Sequence, residues 1–172
     1  MTVIYIRHGN DEDKDPYYTN DPGLKKSQSR DVVRFTKKLI DKHGVPDAIY
    51  ISPMHRSLET TATMLSVLPG YRNVGVSRNL SRYFTSTELK QGVHTIRPET
   101  RKLNPPLYEG REKFHKRLRD HYETIKGKGW YSHSPDQPLI WCITHALVMK
   151  HLSKHLHRQI PEHLEFLEYF VA

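Results

Sequence analysis

The sequence predicts a layered α/β fold built on a mostly parallel sheet. Short apolar, β-branched runs alternate with segments of helical periodicity along almost the whole chain. Three of these runs also meet a His or an Arg where a helix-like pattern takes over: YIRHGN at Tyr5 to Asn10, SPMHRSLETTA at Ser52 to Ala62, and WCITHALVMK at Trp141 to Lys150. Open α/β sheets gather their ligands at that edge.

Taken in order, Val3 to Ile6 reads as the first strand and Asp47 to Ile51 as a second. Between them Val32, Phe35, Leu39 and Ile40 recur at helical spacing, and Gly44 with Pro46 closes that helix. The SPMHR turn enters another helix, in which Leu58, Ala62 and Leu65 are expected to face inward before Pro69 and Gly70 stop it. A third short strand is expected around Val74 to Ser77. Phe114, Leu118, Tyr122 and Ile125 mark an amphipathic helix ending near Gly127. Strand Leu139 to Thr144, a helix over Ala146 to Leu156 and a closing strand near Phe166 to Val171 complete the series. Residues 78–108 are less regular, with Arg82, Lys90, Arg97, Arg101 and Lys102 near Pro98, Pro105 and Pro106. A long segment of this kind is usually functional or disordered.

The three junctions suggest phosphoryl chemistry. A phosphoryl group carries about two negative charges near neutral pH, and guanidinium forks match its oxygens in geometry and sign. Arg7 and Arg56 would supply that clamp. A neutral imidazole can attack phosphorus, provided its other ring nitrogen is fixed as a donor to a backbone carbonyl. His8 is the natural nucleophile, because it follows a strand and is bracketed by Arg7 and the permissive Gly9. His145 would add hydrogen bonding that strengthens in the transition state. The helix N-termini after Pro53 and His145 would bring positive potential to the same place. Singly, each residue has an ordinary structural explanation at a strand end or on a first helical turn. Their shared arrangement favours the catalytic one.

Together these segments resemble the histidine phosphatase superfamily, the phosphoglycerate-mutase-like proteins. The family's RHG reads here as Arg7, His8 and Gly9; its S-P-x-x-R with a following T-A pair reads as Ser52, Pro53, Arg56, Thr61 and Ala62; its late strand-His-helix reads as Leu139 to Thr144 and then His145. The resemblance implies a three-layer sandwich with a mostly parallel central sheet and helices on both faces. It also implies a metal-independent phosphatase acting through a phosphohistidine intermediate on His8, with no metal or organic cofactor. Residues 78–108 would then be the variable segment covering the site, too short for a separate cap domain.

Two departures from the family pattern bear on substrate. The stretch where many members carry an acid, L-x-E, reads Leu80, Ser81 and Arg82, leaving Glu88 as the nearby candidate proton donor. Asp11, Glu12, Asp13 and Asp15 look more like a solvated acidic loop. The family's phosphate-contacting Asn corresponds to Lys14, and Asn10 is a further phosphate-binding candidate. Alcohol leaving groups gain about 10²- to 10⁴-fold from protonation, whereas a phosphoramidate needs less help. The expected substrate is therefore a phosphorylated small molecule or a phosphoprotein, protein phosphohistidine included. Mutase-type transfer on phosphoglycerate is the first alternative, and a non-catalytic module binding phosphate or nucleic acid is the second.

Composition sets the remaining expectations. With 172 residues, 36% of them hydrophobic, the chain is expected to form a single domain over 1–172. No apolar run approaches the ~20 residues that span a bilayer. The chain enters its first strand with no charged, apolar leader, so a cytoplasmic location without membrane association is expected. Cys142 is the sole cysteine and reads as core. The net charge of +8 favours anionic partners at long range. Lys113, His115, Lys116, Arg117, Arg119 and His121 form the densest cationic stretch, expected to be a solvated helix face rather than a nucleic-acid patch. His151 and His155, at i and i+4, lack an accompanying carboxylate and are expected to be an exposed pair, with no metal.

Overall fold

The computed structural model describes residues 1–10, 21–70, 73–82, 97–98, 109–127 and 138–172. Five strands form one sheet: β1 (Thr2–Arg7), β2 (Ala48–Ile51), β3 (Val74–Val76), β4 (Leu139–Thr144) and β5 (Tyr169–Val171), in the order β3-β2-β4-β1-β5. All neighbouring pairs are parallel except β1 with β5. Among the described residues four α-helices accompany them: α1 (Ser29–His43), α2 (His55–Leu65), α3 (Arg111–Gly127) and α4 (Ala146–His155).

The strands alternate their side chains between two cores. On one face Val3, Tyr5, Ile140 and Cys142 pack with Phe114, Leu118 and Ile125 of α3 and Val148, Met149 and Leu152 of α4. On the other, Ile4, Ile6, Trp141 and Ile143 pack with Val32 and Leu39 of α1 and Met64 of α2. A sheet covered on both faces needs strands that are apolar throughout, which is why β1 and β4 read as unbroken hydrophobic runs. The result is the expected three-layer sandwich. Cys142 is fully buried, and burial pushes its thiol pKa up.

Register brings the motifs together. Arg7 pairs with Thr144, and Ile51 with Ile143, so His8, Ser52 and His145 leave three adjacent strands at the same C-terminal edge.

Four expectations are corrected. Ala62 of α2 is exposed, whereas Leu58 and Leu65 pack half-buried against the core as expected, and Arg56, Ser57, Thr60, Thr61 and Met64 are buried beside them. The threonines tolerate burial because Thr60 and Thr61 donate to the carbonyls of Arg56 and Ser57. The closing strand begins at Tyr169, because a turn over Glu165 to Glu168, with Leu167 at φ 63°, precedes it. The basic stretch of α3 is not wholly solvated: His121 is buried beside Ser77, and Arg117 is bound to Glu109 and three backbone carbonyls. Lastly, His151 is half-buried and packs against His115 rather than standing exposed with His155. Among the described residues, no helix is long and apolar enough to cross a membrane, and no group of three or more His, Cys, Asp or Glu could hold a metal ion.

Candidate active site

His8 is 4% exposed and is held from both sides. Its backbone N–H donates to Thr144 O at 3.0 Å, continuing the β1–β4 ladder past the strand end. Its Nδ1 lies 2.7 Å from Gly9 O, which fixes the proton on Nδ1 and leaves the lone pair on Nε2. Arg56 Nε donates to that Nε2 at 3.0 Å. Arg56 stands on the first turn of α2, whose leading amide, His55 N–H, donates to the buried Asp21 carboxylate at 2.8 Å.

Gly9 sits in a tight space. A Cβ there would lie 2.6 Å from Leu24 Cδ1 and 3.3 Å from Val32 Cγ2. Its N–H donates to Thr60 Oγ1 at 3.0 Å, tying the loop after β1 to α2.

Arg7 is oriented by the segment ahead of β5. Its guanidinium lies 3.9 Å over the Phe166 ring and donates through Nη1 to Leu164 O. Phe166 also packs against His8, with ring centroids 5.9 Å apart.

His145 is 3% exposed and stands edge-on to His8, with ring centroids 5.0 Å apart. Its Nε2 is hydrogen bonded to Ser52 Oγ at 2.8 Å, while its Nδ1 is buried without a hydrogen-bond partner among the described residues.

Burial pushes both imidazole pKa values well below 6.5, and the guanidinium of Arg56 adds to that. Arg7 and Arg82 repel a proton on either ring as well, and on His145 so does His8. For His8 the hydrogen bond to Gly9 O opposes the shift without reversing it. Both rings are neutral near pH 7: one presents a lone pair, the other a hydrogen bond.

The structure thus brings together Arg7, His8, Arg56 and His145. Asn10 follows them, half-buried, its carbonyl accepting Lys25 N–H at 2.9 Å. Glu88, Lys14 and the acidic residues Asp11, Glu12, Asp13 and Asp15 lie outside the described residues. Three contributors carry no clear signal in the sequence. Phe166 reads as a strand residue, Ser52 only as the start of a motif, and Arg82 as one more cation in an irregular segment. Arg82 reaches the site because its segment is pinned: Thr144 Oγ1 donates to Leu80 O at 2.7 Å, and Arg117 Nη2 to Ser81 O at 3.0 Å.

The fold is matched in solved structures. A phosphoglycerate mutase from Bacillus anthracis superposes with a TM-score of 0.67 at 15% identity, over 99% of this chain and 87% of that one. The chain shares the fold of that protein. An ecdysone phosphate phosphatase from Bombix mori, in complex with tungstate, gives 0.66 at 15% identity over 99% and 88%. The protein histidine phosphatase SixA, complexed with tungstate, gives 0.59 at 13% identity over 89% and 75%. No family model and no curated protein matches the sequence. The likeness therefore lies in the fold, and the chemistry must be argued from the side chains.

Proposed function

We propose that the protein is a metal-independent phosphatase acting on a phosphomonoester or on protein phosphohistidine through a covalent intermediate on His8. The observation that carries this reading is the fixed tautomer of His8: Nδ1–H is committed to Gly9 O, and the Nε2 lone pair faces Arg56 at 3.0 Å. A buried, neutral imidazole with its nucleophilic nitrogen among guanidiniums is suited to attack phosphorus.

On substrate binding, Arg56 Nε–H passes from Nε2 to a phosphate oxygen, and Arg7 binds the same group. The Nε2 lone pair forms the P–N bond as the bond to the leaving group breaks, with its electron pair departing on the leaving atom. A Ser52 hydroxyl donating to His145 Nε2 puts the imidazole proton on Nδ1, so that His145 can donate to an equatorial oxygen. Water then attacks phosphorus, the P–N pair returns to Nε2, and inorganic phosphate leaves. Arginines and imidazole supply the charge stabilisation that metal ions provide in many phosphoryl-transfer sites. Arg82 places a cation beside the reacting group, which suits a leaving group that departs without a proton.

The test is hydrolysis of an aryl phosphate by the wild type and by His8→Ala, with chelator present. Activity that persists in chelator and disappears in the variant is expected. Equal activity in both proteins, or none in a folded wild type, overturns the proposal. Mutase chemistry is checked in the same samples: phosphoglycerate isomerisation faster than hydrolysis would replace the phosphatase reading.

A further inference from the structure

Among the described residues, the charged groups lining the cleft between α3 and α4 are all of one sign. Arg111, His115 and Arg119 come from α3, and His151, Lys154 and His155 from α4, around a space of about 270 Å³ backed by the buried Leu118 and Leu152. No carboxylate among the described residues lines it. Arg111, Arg119 and Lys154 make no side-chain hydrogen bond or ion pair among the described residues. The two imidazoles at its centre are in contact, with ring centroids 4.4 Å apart, and His151 packs edge-on against Phe114 at 5.3 Å. His115 Nε2 is buried without a hydrogen-bond partner among the described residues.

This cluster does not belong to the His8 site. His151 and Lys154 lie six and nine residues beyond His145, about 9 and 13 Å along the helix. That is farther than one small phosphorylated metabolite reaches.

We propose that the α3–α4 cleft is a second anion-binding site, taking a phosphate group of a short phosphate chain. Two guanidiniums, an ammonium and three imidazoles around a small space offer donors on several sides, as a tetrahedral oxyanion requires. The space falls just below the ~300–1,000 Å³ typical of ligand pockets, which suits a compact anion rather than a ligand with a large organic body. An adjoining cleft shares Lys154 and adds Lys150 and Arg158, with Glu162 as its carboxylate. The cationic surface therefore continues beyond the first phosphate position, which favours a chain over a single ion. The imidazoles respond to such a ligand. Burial and neighbouring charge push the His151 pKa down to about 4, with His115, Arg111 and Lys154 as the charged neighbours. Burial, Arg111 and Arg119 lower that of His115. A bound anion offsets those cations and raises both.

The experiment is an NMR titration of the His115 and His151 imidazoles with inorganic tripolyphosphate, using wild type and the Arg119→Gln/Lys154→Gln double variant, both exposed positions. A single-stranded oligonucleotide at equal phosphate concentration forms the second arm. Tripolyphosphate is expected to raise the His151 pKa by about one unit or more. The double variant should bind about tenfold more weakly at this cleft and hydrolyse aryl phosphate at the wild-type rate. An unmoved His151, or equal affinity in the double variant, overturns the proposal. A shift produced by the oligonucleotide alone overturns the phosphate-chain ligand in favour of nucleic acid. Loss of aryl phosphate hydrolysis in His8→Ala bears on the catalytic reading and leaves this one untouched.

Discussion

His8 and His145 are buried among guanidiniums, and this affects stability as well as chemistry. Their folded-state pKa values are lowered, so as pH falls through about 6.5 the unfolded chain takes up protons that the folded chain refuses. Their contribution is complete above that pH. Below it, stability falls by about 1.4 kcal/mol per pH unit for each imidazole until the folded-state value is reached. Urea midpoints at about pH 7.5 and about pH 5.5 should therefore differ strongly in the wild type and less in His145→Asn. An equal pH dependence in the two proteins would show that the imidazole is not held neutral. Arg82 supports the same state from outside the three motifs. Arg82→Gln is expected to raise the pKa of both His8 and His145, read by imidazole NMR, and to reduce turnover of aryl phosphate. Unshifted imidazoles would remove Arg82 from the site.

Secondary-structure elements owe their positions to a few polar ties. The short 3-10 turn Arg78–Leu80 is held by Arg117 of α3, which binds the carbonyls of Arg78, Asn79 and Ser81 and pairs with Glu109; both side chains of that pair are 10% exposed. Breaking a buried pair by neutralising one member leaves the other charge uncompensated, at a cost of about 3–5 kcal/mol. Glu109→Gln should lower the denaturant midpoint accordingly and, by loosening the carbonyls that carry Arg82, reduce activity toward the level of Arg82→Gln. A stability change below about 1 kcal/mol would place this pair with ordinary surface ion pairs. These ties also explain which elements were legible. β1 and β4, with apolar residues facing two cores, were placed to within a residue or two from periodicity. In α2, Leu58 and Leu65 pack inward as their spacing predicts, but the rest of the buried face is illegible because it is threonine and arginine, satisfied by helix carbonyls and by His8.

Across the molecule, the charge of +8 opposes compaction. Raising sodium chloride from about 20 mM to about 200 mM shortens the Debye length from roughly 20 Å to below 10 Å. The unfolding temperature is expected to rise over that interval, measured by calorimetry or circular dichroism. A fall would mean that favourable ion pairs outweigh the self-repulsion.

By itself the sequence determined the order of elements, the layered architecture and the strand-to-helix junctions that carry Arg7, His8, Arg56 and His145, because β-branched runs, helical spacing and strand-to-helix junctions are local patterns. It also carried the family resemblance, which the superposed structures support at the level of fold. Only the tertiary structure decided that the register of β1, β2 and β4 brings the three junctions to one edge, that His8 carries its proton on Nδ1, and that Phe166, Ser52 and Arg82 join the site. It also turned His121 and Arg117 inward from a stretch that reads as uniformly solvated, and set His151 against His115 across two helices. The physical reason is common to all of these. Each depends on contacts between segments far apart in the chain, and periodicity within one segment carries no information about what another places against it.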